Sequence, residues 1–268
     1  MEQPYMQKRQ LGQSDLWLSP IGLGTVKIGR NQSLKYPQSF DLPSDKIVSN
    51  LLAEAAALGI NLIDTAPAYG TSEVRLGQLL PQSRNDWVIM SKAGEEFNQG
   101  VSTYNFTQKH LKMSLERSLK NLRTDYIDIF LIHSNGDDET IINTFEVFDT
   151  LARFKQEGKI RAYGMSTKTV AGGILTLEHA DCAMITYNLE HHDEQPVIDY
   201  AQTHAKGILV KKAFMSGHFT NIDSENKAQA ATEFVLKEPG VTSLITGTTN
   251  LMHLGETVMA AKAMTTSI

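Results

Sequence analysis

The sequence has little cysteine: Cys182 is its single thiol in 268 residues. One thiol cannot form an internal disulfide, so nothing points to an oxidising compartment. No stretch reaches the roughly 18 apolar residues that a membrane-spanning helix needs, and the N-terminus lacks the uninterrupted apolar core of a signal peptide. These absences predict a cytoplasmic protein with no membrane partner.

An excess of basic residues is also missing. The 25 Lys and Arg residues are outnumbered by 30 Asp and Glu, which gives a formal net charge of -5. Proteins that bind nucleic acid carry a basic footprint, so nucleic acid is not an expected partner. No linker rich in Pro, Gly or Ser divides the chain, and 41% of its residues are hydrophobic. We therefore expect one globular domain over residues 1–268.

What the sequence does have is a regular alternation of strand-like and helical segments. A short hairpin comes first, with its turn at GQSD, residues 12–15. The strand-like runs cover residues 20–25, 60–64, 87–92, 126–133, 160–165, 182–188, 207–214 and 241–246. The helical patterns cover residues 43–59, 72–80, 107–122, 139–158, 169–180, 196–205, 224–238 and 250–264.

The strands are apolar runs rather than polar–apolar alternations, as expected for a parallel sheet that is buried on both faces. Strict alternation of strand and helix is typical of an open doubly wound sheet or of a closed barrel. Eight units in about 250 residues favour the barrel. The predicted fold is an α/β protein, a single (β/α)8 TIM barrel with a short N-terminal hairpin.

Four chemically active side chains fall at the ends of three successive predicted strands. The second strand ends in Asp64, and Tyr69 follows in the next loop. The third strand ends in Lys92 and the fourth in His133. Functional residues of (β/α)8 barrels lie at the C-terminal ends of the strands, which we call the rim. We therefore expect these four residues, the tetrad, to meet there.

Each member of the tetrad also has an ordinary structural interpretation. Asp64 can cap the next helix, although Ser72 is the nearer candidate. Lys92 can be a solvated lysine at a strand end, and His133 a core histidine. Tyr69 alone carries little information. Their joint placement on adjacent strands is what favours a functional site.

The charges of the tetrad suggest proton transfer. A buried lysine is costly unless it is paired, and Asp64 is the available partner for Lys92. A cation about 4 Å from a tyrosine favours the phenolate by about 4 kcal/mol at an effective dielectric constant of about 20, or roughly three pKa units. Desolvation opposes this effect. We expect Lys92 to bring the Tyr69 pKa toward the range of a general acid, with His133 as a neutral donor to an oxygen.

Around these residues the chain resembles the aldo-keto reductases over nearly its whole length. INLIDTAPAYG (60–70) resembles the strand-two motif of that family, VIMSK (88–92) its lysine strand, and LKMSLERSLKNLRTDYIDIFLIHS (111–134) the signature that ends in histidine. GKIRAYGMST (158–167) resembles the segment that holds the nicotinamide amide. VTSLITGTTNLMHLGET (241–257) resembles the last strand and the cofactor loop.

The resemblance implies that an aldehyde or ketone is reduced by hydride transfer from a nicotinamide dinucleotide lying across the barrel mouth. No G-x-G-x-x-G follows a strand, so a Rossmann domain is not expected. By resemblance, Tyr69 protonates the carbonyl oxygen and Lys92 and Asp64 tune it. His133 then orients the substrate, a small-molecule carbonyl compound.

The resemblance also implies a set of cofactor-binding residues. They are Gly24, Thr25, Asp64, Ser166, Thr167, Met184, Lys211, Lys212, Ala213, Phe214, Gly247, Thr248, Thr249 and Glu256. Several positions depart from the family pattern. Thr167 stands for an asparagine, Met184 for a glutamine, and Lys211 for the aromatic residue on which the nicotinamide ring stacks. A lysine stem covers a ring face but supplies no π-surface, so Lys211 or Lys212 can instead reach a phosphate or lie in solvent.

The last loop bears on the identity of the cofactor. GTTN (247–250) lacks the arginine that many members use for the adenosine 2′-phosphate. Its residues and the following helix N-terminus still form a phosphate cradle, unless Thr249 or Asn250 only caps that helix. The prediction is NADP, with NAD left open.

Two other features of the sequence bear on function. HHDE (191–194) contains metal-binding residue types, but adjacent histidines point to different sides, so we expect a solvated loop and no metal. A short loop after strand seven and a short C-terminal end predict an open, permissive pocket. The insert of residues 27–42, with Tyr36 and Phe40, can replace part of the missing wall.

Two other functions stay open from the sequence alone. Lys92 can be the Schiff-base nucleophile of a barrel aldolase or lyase. The departures at Met184 and Lys211 suit a nicotinamide-binding sensor or regulatory subunit without turnover. The expected assembly is a monomer or weak homo-oligomer.

Overall fold

A computed structural model of the protein describes residues 6–34, 36, 39–80, 84–218 and 226–265. In this part of the chain the strands are β1 (Arg9–Gln10), β2 (Trp17–Leu18), β3 (Ile21–Gly24), β4 (Leu62–Asp64), β5 (Val88–Ala93), β6 (Glu95–Asn98), β7 (Val101–Tyr104), β8 (Ile127–His133), β9 (Ile160–Ser166), β10 (Cys182–Thr186), β11 (Gly207–Lys211) and β12 (Ser243–Thr246). The α-helices are α1 (Val26–Gly29), α2 (Asp45–Ala57), α3 (Ser72–Leu79), α4 (Gln108–Leu122), α5 (Asp138–Phe145), α6 (Val147–Gln156), α7 (Val170–His179), α8 (Gln195–Thr203), α9 (Lys227–Leu236) and α10 (Leu251–Thr265).

Eight parallel strands close into a barrel, which confirms the predicted (β/α)8 fold. Their order is β3, β4, β5, β8, β9, β10, β11 and β12, and β12 pairs back to β3. The strands are buried on both faces because one face fills the interior while the other packs against the helices. This is why they read as apolar runs in the sequence.

The predicted N-terminal hairpin is present and plugs the end of the barrel opposite the rim. Leu11, Leu16 and Leu18 are at most 1% exposed and belong to the same apolar cluster as the inner face of the barrel. Gly207, at the start of β11, leaves room for Leu11, since a Cβ there would lie 2.3 Å from the Leu11 side chain. Apolar side chains therefore fill the barrel interior, and the rim is the part of the barrel that is left for chemistry.

Helix boundaries follow the local signals in the sequence. The Ser44 side chain accepts a hydrogen bond from the Ile47 amide and caps α2, and Gly59 ends that segment with a φ of +90°. In α4 the apolar face, with Leu111 and Leu115 fully buried, packs on the barrel. Among the described residues, no helix has the length and apolar character needed to cross a bilayer.

Two local predictions are wrong. Residues 139–158 form two helices rather than one, because Glu146 adopts a left-handed conformation with a φ of +49°. The seventh strand stops at Lys211 rather than at residue 214, since Lys212 has a φ of +57°. A 3-10 turn, Met215–Gly217, follows shortly after it.

The antiparallel hairpin of β6 and β7 was not predicted either. It follows β5 directly and is reached through Gly94, whose φ of +113° favours glycine. A Cβ at Gly94 would also lie 2.5 Å from the Phe106 ring. The predicted start of the α9 helix, residues 224 and 225, lies outside the described residues.

Candidate active site

The tetrad meets at the rim, as predicted. Asp64 ends β4, Lys92 lies in β5 and His133 ends β8, and these three strands are neighbours in the barrel. Tyr69 ends a 3-10 turn, Pro67–Tyr69, just beyond β4. The short connection therefore brings the phenol back over the strand ends.

Lys92 is the centre of the tetrad. Its Nζ donates to Asp64 Oδ1, to the Thr65 carbonyl oxygen at 3.0 Å and to the Tyr69 hydroxyl at 3.2 Å. Lys92 is 1% exposed and Asp64 is 5% exposed. A buried lysine and a buried carboxylate thus neutralise each other, as their sequence positions suggested.

These contacts weaken the Schiff-base hypothesis. An amine must be unprotonated to attack a carbonyl carbon. Lys92 Nζ points its donors at three oxygens, one of them a carboxylate, and is buried. The arrangement favours a fixed ammonium ion rather than a nucleophile.

The expected decrease in the Tyr69 pKa is not found. Burial raises that pKa well above 10, and the negative charges of Asp64 and Glu95 raise it further. Desolvation of the phenolate therefore outweighs the nearby Lys92 ammonium, which the Asp64 carboxylate already neutralises. Tyr69 is a protonated phenol at neutral pH.

The segment after β3 holds the Tyr69 loop in place. Gly29 lies against this loop so closely that a Cβ would sit 2.2 Å from the Tyr69 carbonyl oxygen. Arg30 donates from its guanidinium to the Ala68 carbonyl oxygen at 3.1 Å. The backbone before Tyr69 is thereby fixed from outside the barrel.

Two hydroxyl groups beneath this loop support Asp64. The Thr25 hydroxyl donates to the Asp64 carbonyl oxygen at 2.8 Å and accepts from the Ser72 hydroxyl at 2.7 Å. Thr71, not Ser72, is the N-cap residue of α3, so the expected Ser72 cap is wrong. Thr25, predicted to contact a cofactor, has its hydroxyl committed to the protein. Gly24 lies against Ile245.

His133 faces an acid that the sequence interpretation missed. Its Nδ1 lies 2.9 Å from Glu95 Oε2, close enough for an ion pair, although the ring N–H is not aligned for a linear hydrogen bond. Burial raises the Glu95 pKa, but His133, Ser102 and Arg30 outweigh burial and hold it at about 2. Burial lowers the His133 pKa despite Glu95. What could have indicated Glu95 in the sequence is its position, two residues after the end of β5 at the rim.

Lys211 lies on the predicted nicotinamide residues. Its Nζ donates to the Ser166 hydroxyl at 2.8 Å and to the Thr167 carbonyl oxygen at 2.6 Å. Burial lowers the Lys211 pKa to about 7, although the nearby Glu194 carboxylate opposes this. Met184 is 2% exposed and packs in the inner apolar cluster.

At the ends of β11 and β12 lies a groove of about 920 Å³, which we call the long groove. Five predicted cofactor residues line it: Lys212, Phe214, Gly247, Thr248 and Glu256. Lys27, Tyr36 and Phe40 of the early insert line it as well, with Lys27 Nζ 4.1 Å from the centre of the Tyr36 ring. The described part of the insert therefore forms part of the wall of this groove.

The remaining predicted residues do not line the long groove. Ala213 is fully buried, and Thr249 lies beside the groove lining without joining it. Asn250 caps α10, since its side-chain oxygen accepts from the Met252 amide at 2.9 Å. Of the two residues proposed to cap the last helix, Thr249 and Asn250, the cap is therefore Asn250.

The comparisons with known proteins agree with this geometry. The sequence model described as "Aldo/keto reductase family" matches residues 20–230. The chain is an aldo-keto reductase. This aldo-keto reductase is an enzyme, an oxidoreductase that reduces carbonyl groups with a nicotinamide cofactor.

Individual relatives cover most of this aldo-keto reductase. A putative aldo-keto reductase from Pseudomonas aeruginosa has a solved structure with 50% identity, a TM-score of 0.87, and coverage of 96% of this chain and 94% of that one. The oxidoreductase YqkF of Bacillus subtilis is 28% identical over 96% of this chain and 92% of its own. The NADH-specific methylglyoxal reductase of Escherichia coli is 35% identical over 59% of this chain and 51% of its own.

The aldo-keto reductase has polar atoms placed for a nicotinamide cofactor. Thr167 is fully buried, and its hydroxyl has no hydrogen-bond partner among the described residues. Ser166 adjoins it and is 2% exposed. An uncommitted buried hydroxyl at the rim fits an amide ligand, which both donates and accepts hydrogen bonds.

The HHDE segment of the aldo-keto reductase does not assemble a metal site. No group of three or more His, Cys, Asp or Glu residues in the described ranges is close enough to hold a metal ion. Glu194 instead accepts a hydrogen bond from the Thr186 amide at 3.0 Å. Its carboxylate closes the loop after β10.

Proposed function

We propose that the tetrad carries out carbonyl reduction with Tyr69 as the general acid. The observation that carries the proposal is the Lys92 ammonium, which contacts the Asp64 carboxylate and the Tyr69 hydroxyl together at the rim. When bound, the nicotinamide supplies a hydride to the carbonyl carbon. The protein must then deliver a proton to the carbonyl oxygen, where negative charge develops.

Tyr69 is suited to deliver this proton. It is protonated at neutral pH because burial raises its pKa, so each enzyme molecule starts with an available proton. As the proton moves to the carbonyl oxygen, charge grows on the phenol oxygen, 3.2 Å from Lys92 Nζ. Lys92 therefore interacts more strongly with the transition state than with the resting phenol, which is the condition for catalysis.

Asp64 has a positioning role in this scheme. Its carboxylate holds the Lys92 ammonium under the Tyr69 hydroxyl and keeps the buried site neutral before the reaction. A fixed dipole of this kind needs no reorganisation when charge develops on Tyr69. The orientation of Lys92 is therefore set before the substrate arrives.

The nicotinamide amide is assigned to Ser166 and Thr167. Thr167 offers a buried hydroxyl that no described residue bonds, and Ser166 already binds the Lys211 ammonium. Lys211 replaces the aromatic ring of other family members, so we propose that its stem covers the nicotinamide ring face. The Schiff-base alternative gives these nicotinamide contacts no role. A nicotinamide-binding regulatory subunit would share them, and it differs from the proposed enzyme in binding the cofactor without turnover.

NADP is our proposed cofactor. Among the described residues, the lining of the long groove includes Lys27, Lys212, Lys227 and His253 and one acid, Glu256. An excess of basic side chains favours the cofactor with the additional phosphate. Competitive titration of NADPH and NADH, followed by cofactor fluorescence, tests this choice: tighter NADH binding would reverse it.

Small aldehydes and ketones are the proposed substrates, reduced in the cytoplasm by a single-domain monomer or weak homo-oligomer. One relative is named for methylglyoxal reduction, which is consistent with a small carbonyl compound. The prediction of an open pocket stands as a proposal. A panel of aldehydes of increasing size tests it, since a closed pocket would accept only the smallest.

The decisive experiment is Tyr69→Phe. We expect the variant to bind NADPH normally and to lose about 10²–10⁴-fold in kcat, the usual contribution of general acid catalysis. Tyr163→Phe is the matched control, because the Tyr163 hydroxyl donates to the His179 carbonyl oxygen at the exposed end of α7, away from the tetrad. Full activity in Tyr69→Phe would disprove the assigned mechanism.

A further inference from the structure

Glu95 is a partly buried acid that faces the tetrad without belonging to it. It follows Gly94, which turns the chain out of β5, and it begins the hairpin of β6 and β7. This hairpin contacts the 3-10 turn that ends in Tyr69. The Glu95 side chain is only 11% exposed. The hairpin thus delivers a negative charge to the rim.

The Glu95 carboxylate is held on both sides. The Ser102 hydroxyl donates to Oε1 at 2.6 Å, and a guanidinium nitrogen of Arg30 lies 3.8 Å from the same oxygen. Oε2 lies 2.9 Å from His133 Nδ1. With Oε1 engaged by Ser102 and Arg30, Oε2 is the oxygen that meets the histidine.

The charge of Glu95 determines where His133 keeps its proton. An ionised carboxylate only accepts hydrogen bonds, so a proton on His133 Nδ1 is favoured over one on Nε2. Nε2 lies on the other side of the ring and is left for the substrate. In a neutral ring with its proton on Nδ1, Nε2 is an acceptor and cannot donate to a carbonyl oxygen.

Several charges act on His133 at once. Glu95 of β6 raises the His133 pKa, whereas Lys92 of β5 and Lys211 of β11 lower it together with burial. The Tyr69 ring contacts the imidazole edge-on, with ring centres 6.3 Å apart. Glu95 is therefore the anion that partly offsets burial and two cations around this imidazole, whose pKa stays below its ordinary value.

We propose that Glu95 is a positioning residue for carbonyl reduction: it fixes one proton on His133 Nδ1 and provides the counter-charge for a second proton on Nε2. This inference rests on the proposed function. The doubly protonated ring donates from Nε2 to the carbonyl oxygen, while Tyr69 transfers the proton that forms the alcohol. The donor is then an imidazolium ion, rather than the neutral donor expected from the sequence.

The test is an NMR titration of the His133 ring, assigned with a His133→Asn variant. Glu95→Gln removes the charge, and we expect the His133 pKa to fall by about one unit or more, as when a charge partner within about 4–6 Å is lost. Glu95→Asp keeps the charge but withdraws it by one methylene, so a smaller decrease is expected. An unchanged titration in both variants would overturn the proposal.

Glu96→Gln is the matched control, because Glu96 lies in the same hairpin and pairs with a different histidine, His110, at 3.2 Å. It should leave the His133 titration unchanged. An equal shift in Glu96→Gln would show a general effect of the hairpin and would count against Glu95.

The pH profile of kcat/KM for aldehyde reduction separates the two proposals. In the native enzyme kcat/KM should fall as rising pH removes the second proton of His133, which gives the profile a descending limb. Glu95→Gln should move that limb to lower pH and leave the Kd for NADPH unchanged. Native protein that binds NADPH but oxidises it with no carbonyl compound contradicts the proposed function. An active enzyme whose limb does not move in Glu95→Gln contradicts only the role of Glu95.

Discussion

Asp64→Asn isolates the energetic value of the buried pair at the rim. The substitution removes the carboxylate charge while keeping the size of the side chain. Lys92 is 1% exposed and keeps its contacts with the Thr65 carbonyl oxygen and the Tyr69 hydroxyl. The variant therefore leaves an ammonium ion in the core without its anionic partner.

Two arguments give the size of the effect. Removing one partner of a buried ion pair costs about 3–5 kcal/mol. The variant can instead fold with a neutral amine, and removing the proton from an ordinary lysine at pH 7 costs about 4.6 kcal/mol, or about 1.36 kcal/mol per pH unit. We expect a loss of about 3–4.5 kcal/mol in the free energy of unfolding at pH 7.

The pH dependence gives a second, independent prediction. If the folded variant holds a neutral amine, its unfolded chain binds one more proton, so its stability rises with pH. The limiting cost falls to about 1.9 kcal/mol at pH 9. The penalty of Asp64→Asn should therefore fall from about 3–4.5 kcal/mol at pH 7 to about 1.9 kcal/mol or less at pH 9, a decrease of at least about one third.

Urea denaturation at both pH values measures these quantities. Lys92→Met and the double variant Asp64→Asn/Lys92→Met complete a cycle, and the double variant should recover most of the stability because no unpaired charge remains. A penalty below 1 kcal/mol at pH 7, or one that is the same at pH 9, would refute the reasoning.

Two further predictions follow from single contacts. Gly77→Ala should lower the free energy of unfolding by at least about 2 kcal/mol, because its Cβ would lie 2.1 Å from the Asn121 carbonyl oxygen. Gly255→Ala should raise it by about 0.5–1 kcal/mol, since no atom of the described residues lies within 4 Å of the added Cβ in α10; urea melts of both variants check the contrast. Binding of the oxidised cofactor should depend on pH through Lys211. Lys211 loses its proton near its pKa of about 7, so the native enzyme should bind NADP+ more tightly, relative to NADPH, at pH 8 than at pH 6. Lys211→Met should abolish this difference, and a ratio of the NADP+ and NADPH dissociation constants that changes equally with pH in both proteins would contradict the prediction.

The barrel was predictable because each βα unit carries its own signals. Buried parallel strands leave apolar runs, and residues such as Ser44 and Gly59 mark helix ends locally. The pairing of Asp64 with Lys92 followed from the same topology, since adjacent parallel strands end at one rim. A buried lysine needs an anionic partner, and Asp64 was the acid available to Lys92.

The features that the sequence did not predict depend on tertiary context. The hairpin of β6 and β7 consists largely of polar residues, so it gives no apolar run, and Glu95 acquires its role only when the hairpin folds over the rim. The left-handed conformation of Glu146 has no local signal in its side chain. The Tyr69 pKa was mispredicted because a sequence shows neighbouring charges but not the depth of burial.

The plug formed by β1 and β2 also bears on the order of folding. Arg9 donates to the Val241 carbonyl oxygen at 2.6 Å, across a separation of 232 residues. At about 5–20 residues per second, the ribosome needs about 10–50 s to make that partner after the plug has left the peptidyl transferase centre. Leu11, Leu16 and Leu18 must stay exposed or chaperoned for this time. The plug is thus synthesised before all eight barrel strands and is among the last elements to dock.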